Sequence, residues 1–318
     1  MLKIKNLSVD YVTEEKTIHA VDGVSLELRK GEILGIVGES GCGKSTLALS
    51  ILRLIDSPGK ITAGKIEFIG HDLLSMNDHQ ISSVRGREIA MIFQDPFTSL
   101  NPVLSIGEQI AEVLEVHRGY PRDQAISRAK ELLTLVHLDD PDYIIKKYPH
   151  ELSGGMRQRV MIAMALACQP KLLIADEPTT ALDVTIQAQI LDLLKEITQK
   201  FSLSLILISH NMGVISSICS SIAVMYAGRI VEYRKKIDSF FDKPLHPYSK
   251  ALLRAVPRLD IKGKLINIPG RPPDLSDIVH ACTFYPRCNV RNAKCLKGEP
   301  DLKYVNPSNA GRCIWVKR

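Results

Sequence analysis

The amino-acid sequence predicts an α/β fold with a mostly parallel sheet. Short apolar segments of strand length alternate with longer segments whose apolar residues recur at helical spacing. Between one such strand, at 32–37, and the helix after it lies the glycine-rich string GESGCGKST at 38–46. This order of strand, loop and helix is the context that the phosphate-binding motif G-x-x-x-x-G-K-[ST] requires. The chain is therefore expected to bind a nucleoside triphosphate, and a chance glycine-rich turn is the weaker interpretation.

The residue types of this phosphate loop suit a triphosphate. Glycines let the backbone curl so that successive N–H groups point at phosphate oxygens, and the following helix offers its positive N-terminus. Lys44 is expected to reach the β- and γ-phosphates, and the Ser45 hydroxyl is expected to ligate Mg²⁺. The expected ATP-contacting residues of the loop are Gly38, Ser40, Gly41, Cys42, Gly43, Lys44, Ser45 and Thr46. At Cys42 the backbone N–H is expected to matter more than the sulfur.

The other elements follow in order along the chain. Alternation predicts N-terminal strands at 2–9 and 24–29, and apolar residues predict a phosphate-loop helix with Leu47, Ile51, Leu54 and Ile55 on one face. The segment from about 96 to 155 is all-helical in character, with one helix at 106–117 and another after Pro121, which favours a first helical turn. The remaining predicted elements are strands at 65–69, 89–93, 171–176, 202–209 and 221–228, and helices at 155–168 and 184–200.

Composition limits the function classes. The net charge of +6 is mild for 318 residues and does not by itself indicate nucleic-acid binding, although it fits a protein beside anionic lipid. No apolar run approaches the roughly 20 residues of a bilayer span, and the N-terminal segment has no apolar signal core. The protein is therefore expected in the cytosol, with its seven cysteines free of structural disulfides.

Past residue 235 proline density rises and periodicity fades, which predicts a domain at 1–235 and a separate loop-rich segment at 236–318.

Two further sites accompany the phosphate loop. Asp176 and Glu177 end the strand at 171–176, where a carboxylate beside a phosphate loop can hold Mg²⁺. Asp176 fits the metal, and Glu177 can orient or deprotonate an attacking water. Ser153, Gly154 and Gly155 open the next helix upstream, and their N–H groups form a second anion site. Taken alone, that opening is equally an ordinary capped helix start.

The order of these motifs resembles the ATP-binding cassette (ABC) family over residues 1 to about 235. The resemblance implies an ABC-type nucleotide-binding domain with a RecA-like core, an antiparallel β subdomain and a helical subdomain at about 96–155. It also implies that two ATPase subunits meet head to tail, so that the LSGG segment of each completes the ATP site of the other. The family usually has glutamine at the position of Met156, and this departure is expected to have a modest effect.

The resemblance implies roles for four more residues. Gln94 senses Mg²⁺ and the attacking water, His210 contacts the γ-phosphate, and Asp183 of the string ALD at 181–183 lies across the dimer seam. Tyr11 stacks under adenine, a contact worth roughly 1–3 kcal/mol per base. Taken by themselves, His210 and Tyr11 also fit ordinary structural positions. The expected catalytic set is Glu177, His210 and Gln94, and the expected Mg²⁺ set is Ser45, Gln94 and Asp176.

Finer strings resemble the ATPase subunits of dipeptide and oligopeptide importers, most closely the D type. They are QDPFTSLNP at 94–102, HPYSKALL at 246–253, IPGRPPDL at 268–275 and CTFYPRC at 282–288. They extend the resemblance over essentially the whole chain. It implies a peripheral ATPase on the cytoplasmic face of the cell membrane that pairs with a second ATPase subunit or with itself. It further implies two membrane permease subunits, an external peptide-binding protein as an indirect partner, and no nucleic acid. The alternatives are a nickel or other small-solute importer of the same family and a soluble ABC ATPase outside transport.

Four cysteines, Cys282, Cys288, Cys295 and Cys313, lie in the proline-rich C-terminal segment. Their spacing matches neither the C-x2-C pairs of zinc ribbons nor bacterial ferredoxins. Four thiolates near one point repel one another and resist burial unless a cation neutralises them. The resemblance associates these cysteines with a [4Fe–4S] cluster. Zn²⁺, with His280 as a substitute ligand, and free thiols are the alternatives, and a structural role is expected rather than electron transfer.

Overall fold

The computed structural model describes residues 1–95, 99–180, 182–255, 268–276 and 281–316. The chain forms two compact units. The first combines Met1–Arg29, Ile33–Ser75 and Ser209–Arg318, and the second combines Lys30–Glu32 and Met76–Ile208. The helical segment expected at about 96–155 lies in the second unit, and residue 235, the expected domain boundary, lies inside the first.

The elements of both units are as follows. The strands are β1 (Leu2–Val12), β2 (Thr17–Leu28), β3 (Ile33–Val37), β4 (Gly59–Phe68), β5 (His71–Asp72), β6 (Ile89–Ile92), β7 (Leu172–Asp176), β8 (Ser204–Ser209), β9 (Ser221–Tyr226), β10 (Arg229–Arg234), β11 (Lys303–Asn306) and β12 (Asn309–Gly311). The α-helices are α1 (Lys44–Ile51), α2 (Asp78–Val84), α3 (Ile106–Arg118), α4 (Arg122–Leu135), α5 (Pro141–Ile144), α6 (Gly154–Leu166), α7 (Val184–Lys200), α8 (Met212–Ile218), α9 (Asp238–Asp242) and α10 (Pro247–Ala255). Short 3-10 helices span Pro149–Glu151, Tyr285–Arg287 and Ala293–Lys297. Within the described ranges, no helix combines the length and the apolarity needed to cross a bilayer.

In the first unit, β2, β1, β4 and β5 form an antiparallel sheet in that order. The predicted N-terminal strand is confirmed and is longer than expected, because β1 continues to Val12. Leu2 and Ile4 are buried, and so are Leu7 and Val9; each pair has the two-residue spacing of a strand with one face on a core. Register shifts interrupt the pairing of β1 with both neighbours.

A second group of strands in the first unit runs in the order β11, β12, β10, β9 and β3. β3 pairs in parallel with β9, whereas β10 pairs antiparallel with both β9 and β12. Gly35 lets α8 pack closely on β3, because a Cβ atom there would lie 2.7 Å from the Ile215 side chain. The last strands of the chain are thus hydrogen-bonded into the group that carries the phosphate loop.

In the second unit, β6, β7 and β8 pair in parallel with β7 in the middle. Every residue of β7 is buried, which is typical of a strand covered on both faces. The helix predicted at 184–200 is α7, with the same bounds. Ile190, Leu193 and Ile197 are buried as predicted, whereas Ile186 is half-buried.

The structure corrects two local predictions. α1 ends at Ile51, so Leu54 and Ile55, which were expected on its apolar face, lie beyond the helix. The left-handed φ of 53° at Arg53 turns the chain away directly after the helix. Pro121 is the N-cap of α4 and precedes its first turn.

Candidate nucleotide-binding site

The phosphate loop at 38–46 belongs to the first unit and joins β3 to α1. Gly41 and Gly43 adopt φ values of 76° and 99°, which glycine tolerates without steric cost. Gly38 is needed for another reason, since a Cβ atom there would lie 2.1 Å from the carbonyl oxygen of Met225. Gly43 is the N-cap of α1 and brings no side-chain cap. The start of this helix therefore suits an anion.

Lys44 lies across the inside of this loop. Its side chain is buried, and its Nζ donates to the carbonyl oxygens of Gly38 at 2.9 Å and Glu39 at 3.0 Å. The Cys42 N–H also donates to the Glu39 carbonyl oxygen, at 3.3 Å. Burial raises the pKa of the Cys42 thiol, so its sulfur stays protonated at neutral pH. The chemistry of the loop therefore rests on backbone groups and the Lys44 ammonium.

Tyr11 and His210 also belong to the first unit. The half-buried Tyr11 lies opposite Gly59 in the pairing of β1 with β4. A Cβ atom on Gly59 would lie 2.7 Å from Cε1 of Tyr11, so the ring packs directly against this glycine. His210 is exposed and follows β8, immediately before Asn211 begins α8 as its N-cap.

The second unit brings Gln94 and Glu177 together. Nε2 of Gln94 donates to Oε2 of Glu177 at 3.2 Å, and Oγ1 of Thr180 donates to the same oxygen at 3.0 Å. Glu177 has a left-handed φ of 47°, an uncommon conformation that often marks a functional site in non-glycine residues. Its N–H donates to the Ile208 carbonyl oxygen at 3.0 Å. Thr180 is not among the residues that the sequence predicts for the site, although its place three residues after Glu177 in the string DEPTT was a usable signal.

Asp176 is the last residue of β7 and is only 4% exposed. Gln94 follows the neighbouring parallel strand β6. Both residues therefore lie at the carboxyl ends of strands, the edge where open α/β sheets bind ligands. This placement agrees with the strand-end carboxylate that the sequence predicts.

The LSGG segment begins α6 in the second unit. Ser153 is its N-cap, and Oγ accepts from the Met156 N–H at the long distance of 3.4 Å. A Cβ atom on Gly155 would lie 2.7 Å from the Ile186 side chain. Ile186 in turn donates its N–H to Oδ1 of Asp183, the N-cap of α7, at 2.9 Å. The segment at 153–155 and Asp183 are thus neighbours, while Ala181 lies outside the described residues.

The four C-terminal cysteines lie near one another in the first unit. The Cys282 N–H donates to the Cys295 carbonyl oxygen at 2.9 Å. Burial, with smaller contributions from Glu299 and then Cys295 and Cys313, raises the pKa of the Cys282 thiol to about 12. Burial also raises the pKa of the Cys288 and Cys313 thiols, and Cys295 adds to both shifts. The thiols of Cys282, Cys288 and Cys313 are therefore costly to ionise until a cation is present.

No set of three or more His, Cys, Asp or Glu side chains in the described part of the chain is arranged to hold a metal ion. His280 lies outside the described residues. A single ion needs all its thiolate sulfurs about 2.3 Å away, whereas a [4Fe–4S] cluster takes one cysteine at each of several irons and tolerates wider spacing. The described residues therefore show neither arrangement, and the four cysteines supply only the thiol donors that both would use.

One contact to the phosphate loop has no signal in the sequence. Arg287 donates from Nη1 and Nη2 to the two carboxylate oxygens of Glu39, at 2.6 and 2.8 Å. This pair holds the pKa of the Arg287 guanidinium above its usual range. The Glu39 N–H donates to the Tyr248 hydroxyl at 2.9 Å. The C-terminal segment therefore contacts the loop that the sequence predicts to bind phosphate.

Two family models match the chain. The model described as "ABC transporter" matches residues 21–180, and the model described as "Oligopeptide/dipeptide transporter, C-terminal region" matches residues 231–295. The second match begins close to the boundary expected at residue 235.

Curated relatives match over almost the full length. The oligopeptide transport ATP-binding protein AppD of Bacillus subtilis is 48% identical, covering 99% of this chain and 96% of the relative. The dipeptide transport ATP-binding protein DppD of the same organism is 47% identical, covering 100% and 95%. The oligopeptide transport ATP-binding protein OppD of Salmonella typhimurium is 46% identical, covering 99% and 93%.

A solved structure described as the dimeric structure of MJ0796, a bacterial ABC transporter cassette, has a TM-score of 0.65 at 30% identity. It covers 72% of this chain and 96% of that one. A post-hydrolysis dimer of the same cassette, bound to ADP and Pi, has the same TM-score at 31% identity and the same coverage. The chain belongs to the ABC transporter family of ATP-binding, ATP-hydrolysing proteins.

Proposed function

We propose that this protein is the ATP-hydrolysing subunit of a membrane importer for dipeptides or oligopeptides. The observation that carries the proposal is the near full-length similarity to oligopeptide and dipeptide transport ATP-binding proteins at 46–48% identity. The similarity extends over the C-terminal region, residues 231–295, which has its own oligopeptide/dipeptide transporter model. A general ABC ATPase would need only the first part of this match.

ATP binds at the phosphate loop, with Tyr11 against the adenine. Lys44 and the backbone N–H groups at 38–46 hold the phosphates. The buried carboxylate of Asp176, the Ser45 hydroxyl and Gln94 hold Mg²⁺, which supplies positive charge to the phosphate oxygens when it is bound. Support comes from the position of Asp176 at a strand end and of Lys44 inside its loop.

Glu177 orients the attacking water and accepts its proton, and His210 contacts the γ-phosphate. A glutamate acts as a base only when it is ionised and held in place. The hydrogen bonds from Gln94 and Thr180 to a single oxygen of Glu177 support this role. They hold the Glu177 carboxylate in one position.

Two subunits close over two ATP molecules, and Ser153, Gly154, Gly155 and Asp183 of each complete the site of the other. The adjacency of the segment at 153–155 to Asp183 supports one shared surface for this contact. Closure is the mechanical step that drives the two permease subunits. The partner is a second ATPase subunit or a second copy of this chain. The pair lies on the cytoplasmic face of the membrane. An external peptide-binding protein is an indirect partner of the pair.

Replacing Glu177 by Gln tests this function. The variant should bind Mg-ATP as well as the wild type does, because the amide keeps the shape of the carboxylate. It should accumulate as a closed ATPase pair, with turnover reduced by at least about 100-fold, since general-base catalysis contributes about 10²–10⁴-fold. ATPase turnover, chromatographic mass and uptake of a labelled dipeptide into vesicles carrying the co-purified permeases are the measurements.

The matched control for this variant is Glu131→Gln, which removes an exposed carboxylate on α4 of the same unit. The control should hydrolyse ATP and support uptake like the wild type. Wild-type turnover by Glu177→Gln would refute the assigned role. ATP-dependent uptake of nickel in place of peptide by the wild-type assembly would support the alternative substrate.

For the C-terminal segment at 236–318, which belongs to the first unit, we propose a structural [4Fe–4S] cluster on Cys282, Cys288, Cys295 and Cys313. The burial of three of these thiols and their mutual influence support a cation at their centre. The cluster supplies that positive charge and cross-links four points of a segment with little regular structure. Zn²⁺ is the alternative ion.

Metal analysis of protein purified without oxygen tests the cluster. We expect four irons and four acid-labile sulfides per chain, in the stoichiometry that [4Fe–4S] defines. Cys288→Ser should lose most of both, whereas Cys219→Ser, which alters a buried cysteine elsewhere in the first unit, should keep them. One zinc per chain without sulfide would favour the alternative, and protein with neither metal would refute both.

A further inference from the structure

Glu39 places a carboxylate at the second position of the phosphate loop. An unpaired negative charge there would repel the phosphates of a bound nucleotide. Arg287 lies 248 residues further along the chain and donates to both carboxylate oxygens, at 2.6 and 2.8 Å. The Arg287 side chain is 3% exposed and that of Glu39 is 25% exposed, so solvent screens the pair little. The charge of Glu39 is therefore neutralised by a residue of the C-terminal segment.

The guanidinium of Arg287 is held on its other sides. Its Nε donates to the carbonyl oxygen of Pro269 at 2.9 Å, Nη1 also reaches the Tyr226 hydroxyl at 3.4 Å, and Nη2 reaches the Ile268 carbonyl oxygen at 3.5 Å. The guanidinium carbon lies 5.8 Å from the centroid of the Tyr226 ring. A planar group with donors on three nitrogens has little freedom when all three are engaged. Arg287 therefore fixes the Glu39 side chain as well as neutralising it.

The backbone of Glu39 is fixed by the same part of the protein. Its N–H donates to the Tyr248 hydroxyl at 2.9 Å. The Tyr248 ring packs against Tyr226 with centroids 4.6 Å apart, and against Phe284 with centroids 5.5 Å apart. Phe284 directly precedes the 3-10 turn Tyr285–Arg287. The two residues that hold Glu39, Arg287 and Tyr248, thus both pack against Tyr226.

We propose that Arg287 is a positioning residue for nucleotide binding: it neutralises Glu39 and holds the phosphate loop in its binding conformation. The inference rests on the proposed binding of ATP at residues 38–46. Arg287 does not touch the nucleotide and acts through Glu39. The C-terminal segment therefore sets the nucleotide affinity of the ATPase to which it is attached.

Equilibrium binding of the non-hydrolysable probe Mg-AMPPNP to the full-length chain tests this role. Arg287→Met should raise the dissociation constant roughly tenfold, equivalent to about 1.4 kcal/mol, because the Glu39 charge is left unpaired beside the phosphates. Glu39→Gln with Arg287 intact should change it by less than about threefold. The double variant should recover most of the lost affinity, because it has no unpaired carboxylate.

Recovery in the double variant separates charge neutralisation from a general structural role, because a merely misfolded segment would not be rescued by a second substitution. The loss in Arg287→Met should also shrink as salt is raised. Affinity equal to wild type in a folded Arg287→Met chain would overturn the proposal, and so would a double variant as weak as the single one. If Arg287→Met does not fold, Arg287→Lys carries the test. It keeps the charge without the two-pronged geometry and should bind less tightly than wild type, so equal affinity would overturn the proposal.

Arg291→Met is the matched control. Arg291 lies in the same segment, is exposed, stacks near Tyr285 and donates to the Pro286 carbonyl oxygen. Its replacement should leave the affinity for Mg-AMPPNP unchanged. Absence of binding by the wild-type chain itself would refute ATP binding at this loop, a result distinct from normal binding by Arg287→Met.

Discussion

The imidazole of His246 is buried directly before α10. Its Nδ1 accepts the Tyr248 N–H at 3.1 Å, and the His246 N–H donates to Oε2 of the buried Glu232 at 2.8 Å. Burial, with the nearby charge of Arg312 next in size and that of Lys250 smaller, lowers the pKa of His246 to about 3. The ring is therefore neutral in the folded protein at every physiological pH, and its acceptor nitrogen caps the turn into α10.

Acid should destabilise the protein through this histidine. In the unfolded chain its pKa is about 6.5, so between pH 6.5 and about 3 the unfolded state binds a proton that the folded state does not. The free energy of unfolding should fall with decreasing pH across this window, with a slope approaching about 1.4 kcal/mol per pH unit. Urea unfolding at pH 4.5 and 7 measures it. His246→Asn should flatten the dependence, since an amide oxygen can still accept the Tyr248 N–H.

The exposed His79 supplies the control for that experiment. His79→Asn should keep the wild-type pH dependence of unfolding. An equal slope in wild type and His246→Asn would show that His246 does not carry the acid sensitivity.

At the scale of elements, two helices of the second unit begin with serine but are capped differently. Ser105 and Glu108 at the start of α3 form a full capping box, in which Oγ accepts the Glu108 N–H and the Glu108 carboxylate accepts the Ser105 N–H at 2.8 Å. At α6 the third helical residue is Met156, which has no carboxylate or amide to reciprocate. The Ser153 hydroxyl accepts the Met156 N–H, whereas the Ser105 hydroxyl also donates to the Glu108 carboxylate at 2.6 Å.

Replacing each serine by alanine should separate capping from function. Ser105→Ala should lower the free energy of unfolding by about 1 kcal/mol and leave ATP turnover per folded chain unchanged. Ser153→Ala should cost less stability, because Met156 cannot reciprocate the cap as Glu108 does for Ser105, but it should reduce turnover and closed-pair formation. Urea unfolding and ATPase turnover are the measurements. Normal turnover by Ser153→Ala would contradict a role for Ser153 across the ATPase pair.

At the scale of the whole molecule, sequence periodicity predicts helices, strands and loops formed by neighbouring residues. It does not predict contacts between residues that are far apart in the chain. The phosphate loop, β7 and α7 follow from short strings and recurrent apolar residues. β10 was missed because its buried face includes Glu232 and Arg234, whose charges hide the apolar pattern. They are satisfied by each other at 2.8 Å and by the Leu245 N–H, a contact that no local pattern shows.

The candidate site likewise combines local features that the sequence predicts with a long-range contact that it does not predict. The glycine conformations of the phosphate loop and the helix after it were predictable because one contiguous string specifies them. The Arg287–Glu39 pair was not, since its partners are 248 residues apart and each is an ordinary charged residue by itself. Thr180 is partly predictable. Its position near Glu177 can be read from the sequence, but its hydrogen bond to Glu177 depends on the turn after β7.

The pairing of Glu232 on β10 with Gly311 on β12 has a consequence for biosynthesis. Apart from Lys30–Glu32, the second unit is one uninterrupted stretch, Met76–Ile208, and it can assemble as soon as that stretch has left the ribosome. The first unit also needs Ser209–Arg318, which are translated after the whole of the second unit. Its early strands must stay unaggregated until then, so chaperone dependence and sensitivity to premature stop codons both concentrate in this half of the molecule.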